Sequence, residues 1–270
     1  NGGIKLKKII LGLFIITSLL FGKELKDNMN GKLTDQMVLA TLWMQKSGEY
    51  RALVYQTFNT AKLSFDNTKT KDGKKKAVVS DLDETLIDNG KMAGWQIENG
   101  VTYSSDAWHK WAQARESEAI PGAVEFSKYV NENGGKMFYI SNRSHKEFDA
   151  IKENLIALGF PEVTEETLLL VKDTSDKAER RDQIEKNGYE IVMLLGDNLD
   201  DFDSEVRKKG NDERIKHVDK NKDKYGVKYI VLPNPMYGDW EGGLCNDYWK
   251  KTPEEKLKLR HESLKMWNGE

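Results

Sequence analysis

One eleven-residue stretch constrains this chain more than any other: Ala77-Val78-Val79-Ser80-Asp81-Leu82-Asp83-Glu84-Thr85-Leu86-Ile87. Lys74, Lys75 and Lys76 lead into a short run of small and β-branched apolar residues, the pattern of a buried strand. The run ends in two aspartates spaced i, i+2. Acid groups at the carboxyl end of such a strand sit where open α/β sheets place their ligands. An Asp-x-Asp standing alone is more often a solvated turn or a helix cap, so the rest of the chain must decide between the two.

Apolar residues from Met37 to Leu63 recur at helical spacing, which predicts one or two amphipathic helices over 34–66. An aromatic-rich insert with Trp95, Tyr103, Trp108 and Trp111 follows the first strand. Pro121-Gly122 then opens a helix to about Asn131, and a second strand over 136–140 ends in Ser141-Asn142-Arg143. A helix over about 145–158 stops at Gly159, and 168–171 forms a third strand. Ser175 is the expected cap of a helix running to Lys186. A fourth strand, 191–195, runs into Gly196-Asp197-Asn198-Leu199-Asp200-Asp201; a fifth spans 229–232, and a terminal helix runs from Thr252 to about Trp267. Strands alternating with helices at this spacing predict an α/β fold with a doubly wound, mostly parallel sheet.

Composition narrows the function. Lys plus Arg number 42 and Asp plus Glu 44, a net charge of −2, which gives no basic excess for a nucleic-acid polymer. The single cysteine, Cys245, allows no disulfide within the chain. The four histidines share no motif, and no His/Cys cluster offers a zinc site.

Two strand ends carry acids, 81/83 and 197/201, and in a parallel sheet both lie on one edge. Converging carboxylates repel unless a cation neutralises them, and an oxygen-only donor set suits Mg²⁺ with room for a phosphate. This predicts a phosphoryl-transfer centre. Asp81, fixed at the strand end, is the nucleophile candidate, and attack by its carboxylate gives an aspartyl-phosphate that water then hydrolyses. Asp83 is placed to protonate the leaving oxygen and then to activate that water, which predicts activity favouring mildly acidic pH. Ser141 and Asn142 can hydrogen-bond phosphoryl oxygens. Lys177, near a helix start, supplies positive charge beside backbone N–H groups.

These residues also carry a resemblance. Asp81-Leu82-Asp83-Glu84-Thr85, Tyr139-Ile140-Ser141-Asn142-Arg143, Lys177 and Gly196-Asp197-Asn198-Leu199-Asp200-Asp201 match the four motifs of the haloacid dehalogenase (HAD) superfamily. More closely, from Leu42-Trp43-Met44-Gln45 through Gly238-Asp239-Trp240-Glu241-Gly242-Gly243, the chain resembles the class C acid phosphatases, the bacterial lipoprotein e (P4) type of 5′-nucleotidase. The resemblance implies Asp81 as nucleophile, Asp83 as acid/base, and Mg²⁺ held by Asp81, the Asp83 backbone carbonyl and Asp197. It implies Asp201 as a supporting carboxylate, Thr85, Ser141 and Asn142 on the phosphate, and Lys177 as charge partner, with Lys172 the second choice. Trp108 and Tyr237 match positions that grip the leaving group, and stacking on such rings contributes about 1–3 kcal/mol per base. A homodimer is also implied.

The expected organisation is a signal peptide at 1–22, a polar joint at 23–33 and one phosphatase domain at 34–270. Its core covers about 74–87 and 121–235, and a small, mainly helical cap is built from about 34–66, 88–120 and 245–268. Lys5, Lys7 and Lys8 precede a mostly apolar run, Ile9 to Phe21, shorter than the roughly 20 residues of a membrane span, so a secretory leader is expected. An uncleaved segment would instead attach the protein to a membrane. The lipoproteins of the family carry a cysteine at the cleavage point, and Ser18–Lys23 holds none, so a secreted or periplasmic form is favoured over lipid attachment at the cell surface. The expected function is hydrolysis of nucleoside or nicotinamide 5′-monophosphates. The alternatives are a sugar-phosphate or phosphotyrosine phosphatase, or a surface binding or storage protein on the same scaffold.

Overall fold

The computed structural model describes residues 29–71 and 73–269. The expected signal peptide, and 23–28 of the polar joint, lie outside the described residues. Residues 29–35, which include the end of that joint, are helical, and Leu33 and Thr34 are buried. Among the described residues no helix is long and apolar enough to cross a membrane.

The helical pattern over 34–66 resolves into α1 (Val38–Lys46) and α2 (Gly48–Asn67). Ser47 separates them: its hydroxyl donates to the Trp43 carbonyl at 2.7 Å and accepts from the Tyr50 N–H at 3.0 Å, capping α2. The opening strand β1 (Lys75–Ser80) ends immediately before Asp81, as an apolar run closed by acids predicts. Beyond it the N–H groups of Thr85, Leu86 and Ile87 all turn back to the Leu82 carbonyl, at 3.2, 2.9 and 2.9 Å. Glu84 holds this turn with φ of 52°, an uncommon conformation for a residue with a side chain. The short β2 (Ile87–Asp88) leads into the insert, made of α3 (Gly90–Glu98) and α4 (Ser105–Ala114). The insert closes with β3 (Glu118–Ala119), antiparallel to β2.

The chain then alternates: α5 (Ala123–Glu132), β4 (Gly135–Ser144), α6 (Phe148–Leu158), β5 (Leu168–Val171), α7 (Ala178–Lys186), β6 (Tyr189–Gly196), α8 (Asn211–Lys220) and β7 (Tyr229–Val231). Ser175 does not cap α7. Lys177 occupies the cap position, and the Asp176 carboxylate accepts from the Ala178 N–H at 2.9 Å. After the four-residue α9 (Asp239–Gly242), α10 (Pro253–Glu262) starts on a Thr252–Glu255 capping box and ends short of the expected Trp267.

Five parallel strands form the sheet in the order β5-β4-β1-β6-β7, with β1 at its centre. Alternation along β1 explains why both faces are covered. Val78 joins one apolar cluster with Met137, Tyr139 and Leu195, under Val54, Phe58 and Phe65 of α2 and Phe126 of α5. Ala77 and Val79 join the other, with Phe138, Ile140, Leu194 and Ile184 of α7. Each large side chain fully buried in these layers contributes roughly 1.5–3 kcal/mol. The pairing of β1 with β6 skips Val192, since Ala77 faces Ile191 and Val78 faces Met193, a bulge just before the acid-bearing strand end.

The pieces expected to form a cap differ in burial. The buried face of α2 belongs to the main core, whereas α1 packs against α3 of the insert. Arg260 of α10 donates to the Leu33 carbonyl at 3.3 Å, to Gln36 Oε1 at 2.7 Å and to the Tyr248 hydroxyl at 3.0 Å, and pairs with Glu241. The C-terminal helix is thereby bound to residues ahead of α1.

Candidate active site

Parallel pairing brings the carboxyl ends of β1, β4 and β6 to one edge. Asp81 leaves β1 with its N–H bonded to the Leu195 carbonyl of β6 at 3.0 Å, so the backbone of the two acid-bearing strands is locked together. Asp81 and Asp201 meet across Lys177. The buried Lys177 ammonium donates to Asp81 Oδ1, and to Asp201 Oδ1 at 2.6 Å. Lys172, the alternative, is exposed in the loop after β5. Asp201 also takes the Asn198 N–H on Oδ2 at 3.0 Å, so protein donors occupy both of its oxygens. Its side chain folds back over Gly196, where an added Cβ would collide with it; the glycine at the end of β6 is required by this close approach.

Asp81, Asp197 and Asp201 each place a carboxylate oxygen within 4.8 Å of the others. Burial is the largest cause that pushes the Asp81 carboxyl up, to about 7; Lys177 opposes it, while Asp201 and Asp83 add to it. Asp197 is raised well above the ordinary carboxylate range by burial, then by Asp201 and Asp81, against one hydrogen bond from Asn234 Nδ2 at 2.8 Å. For Lys177, burial alone would lower the ammonium, but Asp201 and Asp81 outweigh it and hold it up at about 12. Three acids with one ammonium leave the group short of positive charge. An all-oxygen donor set of this kind fits a hard divalent cation. With Asp201 occupied, Asp81 and Asp197 are the side chains that would hold it.

The electrostatics give a signed expectation. Asp81 has a folded-state value of about 7 against an ordinary 3.8, so the folded state binds more protons between those values. Stability of the chelator-treated protein should be highest below about pH 4 from this group and fall as pH rises through about 7. Thermal melting in chelator across that range should show a falling Tm; a Tm that rises through it would contradict the burial of an under-neutralised acid group.

Asp83 faces the other way. Arg143 Nε donates to its Oδ1 at 3.0 Å and Oδ2 at 3.2 Å, and Arg143 Nη2 to Oδ1 at 2.7 Å. Asn89 Nδ2 adds a bond to Oδ1 at 2.7 Å and also reaches Glu84 Oε2 at 3.3 Å. Glu84 is fully buried and raised well above its ordinary value by burial, Asp83 and Asp197. Ser141 is buried with its hydroxyl 3.5 Å from Asp83 Oδ2, the outer limit of a hydrogen bond. Asn142 is exposed, and its Oδ1 accepts from Arg180 Nη2 at 2.7 Å. Arg180 Nη1 also holds the Ser141 carbonyl at 2.7 Å, so α7 supports this end of β4. Thr85 is fully buried, and its hydroxyl has no hydrogen-bond partner among the described residues.

Trp108 and Tyr237 are both half-buried. The Arg143 guanidinium lies 5.4 Å from the Trp108 ring centre, and Tyr103 packs at 6.2 Å on the same indole. The Tyr237 loop is tied to the site by Asn234, whose Oδ1 accepts from the Met236 and Tyr237 N–H groups at 3.0 and 3.4 Å while its amide holds Asp197. Sequence reasoning gave no role to Asn89, Arg143, Arg180 or Asn234. Arg143 closes the motif Tyr139-Ile140-Ser141-Asn142-Arg143, which was the available signal; the others carry none that spacing reveals. Away from this edge, His217 pairs with Asp203 at 3.4 Å and Glu205 at 3.8 Å, a partly exposed cluster.

A central parallel strand ending in paired aspartates, with a lysine and a second acid pair opposite, is the arrangement of the haloacid dehalogenase superfamily. The model of HAD subfamily IIIB, the acid phosphatases, matches residues 20–240, and the chain belongs to that family. It is similar to the class C acid phosphatase from Bacillus anthracis, at 40% identity over 88% of this chain and 100% of that one, with a TM-score of 0.83. The same Bacillus anthracis enzyme with tungstate bound gives 0.82 at the same identity and coverage. Acid phosphatase 1 of Solanum lycopersicum is 25% identical over 164 residues, 59% of this chain and 57% of that relative's length. The family is one of phosphoric monoester hydrolases.

Proposed function

We propose that this protein is an exported, Mg²⁺-dependent acid phosphatase that hydrolyses nucleoside or nicotinamide 5′-monophosphates through an aspartyl-phosphate on Asp81. The observation that carries the reading is the bonding of one buried lysine to both Asp81 and Asp201 beside Asp197. Such an anion-rich site takes a dianionic phosphate only with added positive charge. Asp81, Asp197 and, as the family resemblance implies, the Asp83 backbone carbonyl would hold a divalent cation, which when bound would supply that charge and polarise the phosphoryl group.

The residues of the chain do the rest. Asp81, fixed through its N–H to β6, presents a carboxylate oxygen to phosphorus as the leaving oxygen departs. Lys177 offsets the charge on Asp81 and the phosphoryl group and keeps Asp81 oriented. Ser141 and Asn142, held from behind by Arg180, offer donors to the phosphoryl oxygens. Asp83 gives its proton to the leaving oxygen and takes one from the water that hydrolyses the aspartyl-phosphate. The tungstate in the Bacillus anthracis relative, a tetrahedral oxyanion, supports a phosphate-type ligand here. The substrate class rests on Trp108 and Tyr237, and export on the basic and apolar segment Lys5 to Phe21.

One assay series tests the whole reading: hydrolysis of adenosine 5′-monophosphate, nicotinamide mononucleotide, a sugar phosphate and phosphotyrosine, with Mg²⁺ or with chelator. It is run on the medium, periplasmic and cytosolic fractions of an expressing bacterium. The mononucleotides should be hydrolysed fastest, chelation should remove at least about nine-tenths of the activity, since metals supply several kcal/mol of charge stabilisation, and the activity should leave the cytosol. Faster sugar-phosphate or phosphotyrosine hydrolysis would replace the substrate class. Activity indifferent to chelator would remove the metal.

A further inference from the structure

We propose that Arg143 and Asn89 are positioning residues for Asp83, and that they link its orientation to the aromatic insert. This rests on the acid/base role of Asp83 proposed above. Donors crowd one oxygen of that carboxyl. Oδ1 receives Arg143 Nη2 at 2.7 Å, Asn89 Nδ2 at 2.7 Å and Arg143 Nε at 3.0 Å, whereas Oδ2 has Arg143 Nε at 3.2 Å and the Ser141 hydroxyl at 3.5 Å. Oδ2, with the fewer and longer donor contacts, is the oxygen left free to hand on or take a proton. Oδ2 is also the oxygen beside Ser141, on the side expected to hold phosphate. Rotating the carboxyl to exchange its oxygens would break charge-assisted bonds to a buried guanidinium, which fixes this choice.

The support runs on into the insert. Asn89 is buried, and its Oδ1 accepts from Trp111 Nε1 at 2.8 Å, from the Ser117 hydroxyl at 2.8 Å and from Arg143 Nη2 at 2.9 Å. Trp108, three residues before Trp111 on α4, stacks over the Arg143 guanidinium. One face of α4 therefore meets the acid/base carboxyl through a guanidinium and an amide. In the step affected, a bond forms between Asp81 and phosphorus, the bond from phosphorus to the leaving oxygen breaks, and the Oδ2 proton moves to that oxygen. Asp83 is left as a carboxylate that takes a proton from water in the second step.

The test separates proton delivery from general damage. kcat/KM, which reports the first step, is measured for benzyl phosphate, whose alkoxide needs a proton to leave, and for p-nitrophenyl phosphate, whose phenolate does not. The proteins compared are the wild type, Asp83→Asn, Arg143→Ala, Arg143→Lys and Trp111→Phe. Arg143→Ala should lose about 10–100-fold on benzyl phosphate and several-fold less on p-nitrophenyl phosphate, within the usual worth of general acid catalysis. Arg143→Lys and added guanidinium should restore part of the benzyl activity, and Trp111→Phe should show the same selectivity on a smaller scale. Should Arg143→Ala fail to fold, Arg143→Lys and Trp111→Phe still decide. Equal losses on both esters in the Arg143 and Trp111 variants, with Asp83→Asn selective, overturn the proposal while sparing the role of Asp83. Equal losses in Asp83→Asn itself remove that role, and the proposal with it.

Discussion

Asp81→Asn should lower turnover by at least about a thousandfold, the scale on which removal of a covalent nucleophile acts, and the same substitution should raise the stability of the metal-free protein above neutral pH. The two effects have one origin. Asp81 is buried at the end of β1, and its ionised form is disfavoured by burial and by Asp201 and Asp83 even though Lys177 touches it. An amide of the same shape keeps the backbone bond to Leu195 and removes a charge that the fold holds at a disadvantage. The shift to about 7 corresponds to at most roughly 4 kcal/mol, and for a chain of this size even half of that moves Tm by several degrees. Turnover of a nucleotide and melting in chelator at about pH 8 measure the two together. Retention of most activity removes Asp81 as nucleophile. A lower Tm at that pH would mean that Lys177 gains more from the Asp81 charge than burial takes away.

Much of this site was legible because its parts end regular strands. The two acid clusters follow apolar runs, and a parallel sheet necessarily places such ends together, so Asp81, Asp197 and Asp201 were available from pattern and order, while Lys177 was read from a helix start with Lys172 left as the alternative. Their association is now visible in hydrogen bonds that span 96 residues between Lys177 and Asp81 and 24 between Lys177 and Asp201. What the pattern could not carry is pairing among isolated polar residues. Arg143 and Asp83 stand 60 apart and Asn89 and Arg143 54 apart, with no repeating spacing to connect them. The left-handed Glu84 was hidden as well, because the position carries none of the residues, glycine or asparagine, that usually mark that conformation. Helix limits were set wherever a side-chain cap competed: Ser47 separates the two helices where the pattern allowed one or two, and Asp176 displaced Ser175 at the start of α7. Both are local bonds, each worth about 1 kcal/mol, enough to move a boundary and too little to change the fold.

Lys177→Met should destabilise the metal-free protein by about 3–5 kcal/mol well above neutral pH, the range for removing one member of a buried ion pair. Methionine preserves most of the length of the side chain, so packing around α7 changes little. What it removes is the only ammonium bonded to both Asp81 and Asp201 in the described structure. Asp81, already pushed up to about 7 with the lysine present, is pushed higher without it, because Lys177 is the main group holding it down. The sign follows: a folded-state value raised further above 3.8 gives stability that is intact at low pH and is lost over a wider span as pH rises. Both proteins lose stability in parallel from about pH 4 to about 7, so the deficit of the variant against wild type should be small below about pH 7 and grow as pH rises beyond it. Mg²⁺ should recover part of the stability at high pH by replacing the missing charge, while leaving turnover low, since a cation at Asp81 and Asp197 does not occupy the position from which the ammonium meets the phosphate. Melting curves at several pH values, with and without Mg²⁺, separate this from simple loss of packing. A deficit constant across pH and indifferent to the cation would mean that the lysine holds the fold through its methylene chain and not through its charge.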